Sequence, residues 1–169
     1  MIIRAAAQSD LAVIERLWNQ MIRTSLGTFT SVEKTPAEVA ATVADRQAPG
    51  YAALVADMDG QPVGFGSYTQ FRGGVGYRHT MESTILVDDA AQGRGVGRAL
   101  MAALEAHARA AGHRSMIAAV SGGNPGAIAF HRALGYADAA VLRDAGFKWD
   151  QWLDLHLMQK VLSPPETDG

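Results

Sequence analysis

The sequence contains no cysteine among its 169 residues, which excludes disulfide bonds, a cysteine nucleophile and a zinc–thiolate site. Its five histidines are scattered and show no H-E-x-x-H or other ligand spacing, so we expect no metal site. The chain also lacks the G-x-S-x-G motif of serine hydrolases. These absences leave no sequence signal for a bound metal or for chemistry through an acyl-enzyme intermediate.

The sequence also has neither a large excess of charge of one sign nor a long apolar run. Lys and Arg number 15 and Asp and Glu number 17, for a formal net charge of −2 at pH 7. The protein therefore has no broad electrostatic attraction for nucleic acid or for an anionic membrane. No stretch approaches the roughly 20 apolar residues of a membrane span, and no signal-peptide pattern opens the chain. We expect a cytoplasmic protein whose partner is a small polar molecule.

The chain does have enough apolar material for one core. Hydrophobic residues make up 48% and charged residues 19% of the sequence, which fits a single domain, predicted over residues 1–162, with a flexible tail at 163–169. Strand and helix periodicities alternate along it. They predict strands at 2–5, 51–56, 63–71, 77–87, 115–120, 136–143 and 152–162, and helices at 11–22, from 35, at 96–111 and at 127–134. Strands in succession, with helices between the later ones, predict an α/β (α+β) fold.

A glycine-rich turn between the strand at 77–87 and the helix at 96–111 carries the strongest functional signal. Three alternate glycines let a ligand approach the backbone closely, and the helix start offers unpaired amides at the positive end of the helix dipole. Two arginines add positive charge that suits phosphate oxygens. The turn is predicted to hold a pyrophosphate through Gln92, Gly93, Arg94, Gly95, Val96, Gly97 and Arg98.

Two common nucleotide motifs do not fit this turn. A P-loop needs Lys followed by Ser or Thr after its second glycine, whereas Arg98 and Ala99 follow Gly97. A dinucleotide fingerprint counted from Gly93 and Gly95 needs a third glycine at position 98, which is arginine. A purely structural turn is the remaining alternative, but a structural turn has little need for three alternate glycines with two arginines among them.

The turn resembles the Q/R-x-x-G-x-G/A motif of the GNAT acetyltransferases, whose loop amides bind the pyrophosphate of acetyl-CoA. Residues 124–136 are similar to a second motif of that family, N-x-x-A-x-x-L-Y-x-x-x-G-F. The resemblance narrows to the phosphinothricin and methionine sulfoximine acetyltransferases through residues 71–72, 77–84 and 148–159 and the histidine at 131. It implies a mixed, mostly antiparallel central sheet flanked by about four helices, acetyl-CoA as co-substrate, and a homodimer that pairs its subunits across the acceptor site.

Acetyl transfer to an amine needs a base for the ammonium proton and a proton for the departing thiolate. Glu82 lies inside the otherwise apolar stretch 80–87, where partial burial would raise its pKa toward the range useful for a base. In the resembling family a glutamate at this motif position receives the proton, directly or through water. A solvated glutamate on an exposed strand face is the structural alternative.

His131 stands where many GNAT enzymes place a tyrosine that protonates the thiolate. A histidine can donate a proton, but a packed helix residue, with thiolate release that needs no assigned acid, fits the sequence equally well. The resemblance also implies that the backbone of Leu86 and Val87 and the side chain of Asn124 hold the pantetheine arm. Asn124 before Pro125 has a second interpretation as a helix cap, and the two roles are compatible.

Positively charged residues are candidates for binding an acidic acceptor. Arg72, Arg78 and Lys148 offer charge for the carboxylate or phosphinate of a small amino-acid-like acceptor, and the two arginines match the family stretch. Phe29 and Trp149 are candidates for the pocket wall, with core packing as the alternative. The favoured function is direct N-acetylation of such an acceptor. Acetylation of protein or peptide N-termini and a non-catalytic acyl-CoA-binding module are the alternatives.

Overall fold

The computed structural model describes residues 1–162, and a single seven-stranded sheet runs through them. The strands are β1 (Ile2–Ala5), β2 (Ala53–Met58), β3 (Gln61–Gln70), β4 (Thr80–Val87), β5 (Ser115–Ser121), β6 (Ala137–Lys148) and β7 (Gln151–Val161). They lie in the order β1-β2-β3-β4-β5-β7-β6. Neighbours pair antiparallel except β4 and β5, which are parallel. The predicted mixed, mostly antiparallel sheet is confirmed, whereas the predicted tail at 163–169 lies outside the described residues.

Among the described residues, four α-helices cover the sheet, two on each face. The helices are α1 (Leu11–Thr24), α2 (Pro36–Gln47), α3 (Val96–Ala110) and α4 (Pro125–Ala133). One buried cluster joins α1 and α2 to the sheet around Phe65 and Leu86. A second joins α3 and α4 to the opposite face around Tyr68 and Met81. Within residues 1–162, no helix is both long enough and apolar enough to cross a membrane.

Local sequence signals place several element boundaries correctly. Thr35 opens α2, where its side chain accepts from the Glu38 amide at 3.3 Å. The Glu38 carboxylate in turn accepts from the Thr35 amide at 2.7 Å. This reciprocal capping box satisfies two amides that the helix itself leaves unpaired. The proline in the first turn costs nothing there, because its missing N–H would have had no partner.

Two predicted strand boundaries were wrong. Residues Val75–Tyr77 form a 3₁₀ turn, so β4 begins at Thr80 rather than at 77. The strands predicted at 136–143 and 152–162 form one hairpin. The first strand continues to Lys148, which pairs with Gln151 across the turn. Their pairing shifts register between Leu142 and Gly146. An irregularity of this kind interrupts the period-2 alternation from which a strand is recognised.

The parallel pair β4 and β5 opens like a wedge, and this opening positions the site. The two strands are in register only from Thr80 with Ser115 to Glu82 with Ile117. Beyond that point β4 continues to pair with β3, and β5 with β7. The second half of β4 therefore presents a free backbone edge in the middle of the sheet, where an extended ligand can pair as another strand would.

Candidate active site

The wedge between β4 and β5 opens into a cleft of about 750 Å³. One wall is the end of α1 with the loop that follows it, and the other is the end of β4 with the starts of α3 and α4. Residues on the first wall include Met21, Ser25, Leu26 and Gly27, and residues on the second include Val87, Val96, Arg98, Asn124 and Phe130. The cleft is long enough to reach from the glycine-rich turn to the wedge.

The glycine-rich turn forms one end of this cleft. Gly95 is the N-cap of α3 with φ of 81°, and Gly93 has φ of 73°. Positive φ is costly for residues with a side chain, so glycine is required for this backbone path. The first amides of α3 have no intrahelical acceptor, and they lie where the turn lines the cleft. The lining includes Gln92, Gly93, Gly95, Val96, Gly97 and Arg98.

Arg94, predicted with the same group, is exposed and lies outside this lining. Its backbone amide donates to the Ala91 carbonyl at 3.4 Å, which helps to close the turn. Asp88 lies just before the turn, and its carboxylate accepts from Arg16 of α1 at 2.7 Å. This contact holds the pKa of Asp88 below its usual range. The two cleft walls are thus joined by an ion pair beside the glycine-rich turn.

Glu82 lies at the point where the wedge opens. Alternation along β4 sends Met81 toward α3 and Leu86 toward α1, so Glu82 lies on the face that carries α1 and α2. It lines a recess of about 170 Å³ together with Gly27 and His131. Burial raises the pKa of the Glu82 carboxyl, and the charge of Arg46 opposes this shift. The carboxyl is half-buried rather than solvated, which is the environment that a general base needs.

Arg46 of α2 is a residue that the sequence did not single out. Its side chain is half-buried, and its Nε is buried with no hydrogen-bond partner among residues 1–162. Desolvation lowers the pKa of Arg46, and the negative charges of Asp45 and Glu82 partly offset that effect. The positive charge of Arg46 favours the ionised form of the Glu82 carboxyl. No local sequence pattern reveals this influence, because α2 and β4 are far apart in the sequence.

His131 is buried, with 8% of its surface exposed. Its Nδ1 lies 2.8 Å from the Ala127 carbonyl, and because a carbonyl only accepts, Nδ1 must carry the proton. The neutral ring then offers Nε2 as an acceptor. Burial lowers the pKa of His131, which favours this neutral form. The rings of Phe130 and Tyr136 pack against the imidazole, with centroid-to-centroid distances of 5.1 and 5.2 Å.

The predicted pantetheine residues come together along the cleft. Leu86 and Val87 lie on the free edge of β4 and line the cleft. Asn124 lines both the cleft and the recess. Its Oδ1 accepts from the Ala127 amide at 3.1 Å, so it is also the N-cap of α4. The helix-cap interpretation of Asn124 is confirmed, and its amide nitrogen is left for a ligand.

Lys148 lies apart from the cleft lining, although it was predicted to bind the acceptor. Only 2% of its surface is exposed. Its ammonium donates to the carbonyls of Ile22 and Ser25, each at 2.7 Å. Burial lowers the pKa of Lys148. The structure therefore gives Lys148 a role at the C-terminus of α1, and direct contact with an acceptor stays a prediction without support from this geometry.

The other acceptor candidates also lie outside the cleft lining. Arg72 and Arg78 are exposed in the loop between β3 and β4. Arg78 donates to the Val75 carbonyl at 3.2 Å. Phe29 packs its ring directly over Gly146 of β6. Trp149 is 49% exposed beyond the end of β6, with the Lys148 ammonium 4.8 Å from its ring.

The described residues 1–162 contain no group of three or more His, Asp and Glu side chains placed to hold a metal ion. Side chains and backbone at the cleft and the recess supply a defined set of groups. It comprises an amide-rich turn for an anion, a free strand edge for an extended arm, and, in the adjoining recess, a carboxyl with a raised pKa. This set suits transfer of an acyl group from a phosphate-bearing thioester to an amine.

Comparison with known proteins gives the same assignment. The sequence model of the Acetyltransferase (GNAT) family matches residues 18–136. The L-methionine sulfoximine/L-methionine sulfone acetyltransferase of Pseudomonas aeruginosa is 36% identical over 170 aligned positions, covering 98% of this chain and 96% of that protein.

Solved structures with this fold are similarly close. A GNAT superfamily phosphinothricin acetyltransferase from Sinorhizobium meliloti, in complex with acetyl-CoA, is 32% identical with a TM-score of 0.92, covering 99% of this chain and 91% of the other. A ribosomal-protein-alanine N-acetyltransferase from Brucella melitensis is 34% identical with a TM-score of 0.92, covering 96% and 100%. The chain belongs to the GNAT acetyltransferase family and is an acetyl-CoA-dependent N-acetyltransferase.

Proposed function

We propose that this enzyme transfers the acetyl group of acetyl-CoA directly to the amine of a small amino-acid-like acceptor of the phosphinothricin or methionine sulfoximine type. The observation that carries the proposal is the position of Glu82, a half-buried carboxyl with a raised pKa at the point where β4 and β5 separate. The glycine-rich turn lines the adjoining cleft, which shares Gly27 and Asn124 with the recess that contains Glu82. We place the protein in the cytoplasm, where acetyl-CoA is available.

Each element of the cleft has a role in this reaction. The amides at the start of α3 and the side chain of Arg98 hold the pyrophosphate. The free edge of β4 at Leu86 and Val87, with Asn124 opposite, holds the pantetheine arm. Glu82 takes the ammonium proton of the acceptor, directly or through water, and the free amine attacks the thioester carbonyl as the carbon–sulfur bond breaks.

The departing thiolate needs a proton, and His131 lines the recess together with Glu82 as a titratable side chain. Its Nδ1–H is bonded to the Ala127 carbonyl, so donation from Nε2 requires the imidazolium form. The lowered pKa makes this form a minor one at neutral pH. His131 therefore serves as an acid only after it has itself gained a proton, and release of the thiolate to solvent is the competing route.

The relatives differ in acceptor, so the choice between a small molecule and a protein N-terminus depends on the cleft. The loop after α1 crosses beside the recess, with Leu26 seated on Gly123 and Phe29 on Gly146. Gly27 of this loop lines the recess with Glu82. A wall so close to the base leaves space for a compact acceptor, whereas a peptide needs an open groove.

We infer a homodimer in which the partner subunit's Arg72 and Arg78 complete the acceptor site. Both arginines lie on an exposed loop outside the lining of their own cleft. β6 is an edge strand with mostly exposed residues, and Phe147 and Trp152 form an exposed aromatic pair with ring centroids 4.9 Å apart. An unpaired edge and an exposed apolar patch are features that a second copy covers.

Thiol release from acetyl-CoA tests the function directly, and the cysteine-free chain adds no background to a thiol reagent. The acceptor panel contains phosphinothricin, methionine sulfoximine, methionine sulfone, the proteinogenic amino acids, polyamines and peptides. We expect turnover with the sulfoximine-type or phosphinic amino acids. Turnover of peptides alone would overturn the acceptor assignment, and acetyl-CoA binding without turnover of any acceptor would overturn the assignment of an active enzyme.

A further inference from the structure

Lys148 is a buried cation that the proposed chemistry does not use. Its side chain reaches from the end of β6 to the last turn of α1, and the two carbonyls that accept from it are 126 and 123 residues away in sequence. Within the part of the chain that the structure describes, no carboxylate forms an ion pair with its ammonium. Burial of an unpaired charge is costly, so its retention calls for a specific partner.

The partner is the C-terminus of α1. The last carbonyls of a helix have no intrahelical donors and carry the negative end of the helix dipole, so a cation there is doubly favourable. Ile22 belongs to the last turn of α1, and Ser25 is the first residue after it. The ammonium therefore fixes the point at which the chain leaves the helix.

The segment that leaves the helix there is part of the cleft wall. Ser25, Leu26 and Gly27 line the cleft, and Gly27 also lines the recess that contains Glu82. We call residues 25–29 the strap. The Ser25 amide and hydroxyl both donate to the Met21 carbonyl of α1, at 3.1 and 2.9 Å, and the Gly27 amide donates to the Ser25 hydroxyl at 3.1 Å. Beyond Ser25, the strap belongs to no helix or strand. Its position therefore depends on contacts with other elements.

Close contacts with two glycines complete the attachment of the strap. A Cβ added at Gly123 would lie 2.7 Å from the Leu26 Cβ. The glycine therefore allows Leu26 to pack against the backbone just before α4. Gly146 likewise accommodates the Phe29 ring. At the far end of the loop, the Asn19 side chain accepts from the Lys34 amide at 2.8 Å and donates to the Lys34 carbonyl at 2.9 Å. Lys148 thus holds the start of the strap, and Asn19 holds the end of the longer loop at Lys34.

We propose that Lys148 is a positioning residue for acceptor binding, because its ammonium fixes the strap as the wall of the acceptor site. The expected effect on the acceptor KM rests on the proposed function. The contact of Lys148 with the acceptor is indirect, through Ser25 and the strap.

The test replaces Lys148 by methionine, which keeps the length of the side chain but removes its donors. We expect hydrogen exchange at the Ser25 and Gly27 amides to accelerate about tenfold, and the acceptor KM to rise about tenfold, which corresponds to loss of roughly one charged hydrogen bond. We expect kcat at saturating acceptor to change less than about threefold, since Glu82 is untouched.

Lys160→Met is the matched control. Lys160 is also partly buried, but its ammonium pairs with Glu105 at 2.7 Å on the α3 side of the sheet. This variant should lose stability without faster exchange at Ser25 and Gly27 and without a change in acceptor KM. Equal changes in both variants, or no change in Lys148→Met, would overturn the proposal. If Lys148→Met does not fold, Gly146→Ala, which displaces Phe29 and leaves Lys148 in place, should give the same rise in acceptor KM.

A rescue experiment uses the absence of cysteine. Lys148→Cys, alkylated with 2-bromoethylamine in the unfolded state and then refolded, regains an ammonium at this position alone. It should recover slow exchange at Ser25 and Gly27, and failure to do so in a folded protein would contradict the anchoring role. The hydrogen-exchange measurement needs no acceptor, so the anchoring role of Lys148 can be tested even when the acceptor is unidentified. Failure of that test would leave the proposed function unaffected.

Discussion

The two walls of the cleft are built in different ways. The wall that we propose for the donor is made of backbone: two glycines with positive φ, the first amides of α3 and the free edge of β4. The wall that we propose for the acceptor is made of side-chain contacts between distant parts of the chain, with Lys148 holding the end of α1 and Phe29 packed on Gly146. A backbone site is specified within a few consecutive residues, whereas a side-chain wall is specified only by the complete fold.

This difference explains how one donor can serve a family with several acceptors. In the proposed site, binding of acetyl-CoA depends on a short turn that tolerates little change, because Gly95 must adopt a left-handed conformation. The acceptor wall depends on contacts that can be altered one at a time. Changes at the donor wall should therefore act on acetyl-CoA binding, changes at the acceptor wall should act on the acceptor KM, and changes at Glu82 should act on kcat.

Glu82→Gln should have the largest effect, a fall in kcat of about 100-fold or more, as expected for loss of a general base. The amide keeps the shape of the recess, so affinity for acetyl-CoA should be unchanged. Steady-state kinetics with saturating acceptor and calorimetric titration with acetyl-CoA measure the two quantities. Glu33→Gln, at an exposed carboxylate paired with Arg23, is the control and should keep full activity.

Gly95→Ala should weaken acetyl-CoA binding by about tenfold, because a left-handed conformation costs a residue with a Cβ about 1–2 kcal/mol. Gly112→Ala provides a matched control. Gly112 has φ of 80° just beyond the end of α3, so it carries the same strain at a position away from the cleft. Calorimetry should show weaker binding for the Gly95 variant only. A comparable loss of affinity in both would contradict the assignment of the turn to the donor.

Arg46→Met should move the acid limb of the kcat/KM profile to higher pH. The positive charge of Arg46 lowers the pKa of Glu82 against the effect of burial, so its removal raises that pKa further. Less of the carboxyl is then ionised at a given pH near the limb, and activity falls there, while the plateau at higher pH is retained. A profile that does not move would show that Arg46 does not influence the base.

His131→Phe should have the smallest effect, a change in kcat of less than about threefold at pH 7 if the thiolate leaves without an acid from this residue. The ring keeps its packing between Phe130 and Tyr136, and the neutral histidine has no proton on Nε2 to donate. Steady-state kinetics at pH 7 provide the measurement. A loss of about 100-fold in a folded variant would instead establish His131 as the acid.

The fold and the donor wall were largely predictable because their signals are local. The strand, glycine turn and helix proposed to hold the pyrophosphate occupy consecutive residues, and Asn124 caps α4 as expected. The acceptor wall was not predictable in the same way. The charge of Lys148 was visible, but the carbonyls that bind it are more than 120 residues away. Arg46 gave no signal, because its significance depends on the packing of α2 beside Glu82.

The role of Glu82 is tested most directly by the pH dependence of kcat/KM for the wild type and for Glu82→Gln, measured with an acceptor that the panel identifies. We predict an acid limb in the wild type with an apparent pKa above the ordinary value of 4.5 for Glu, since burial raises the pKa and the base must be ionised to act. In the Gln variant, residual activity should lose that limb. The same limb in both proteins would contradict the role of Glu82 as the base.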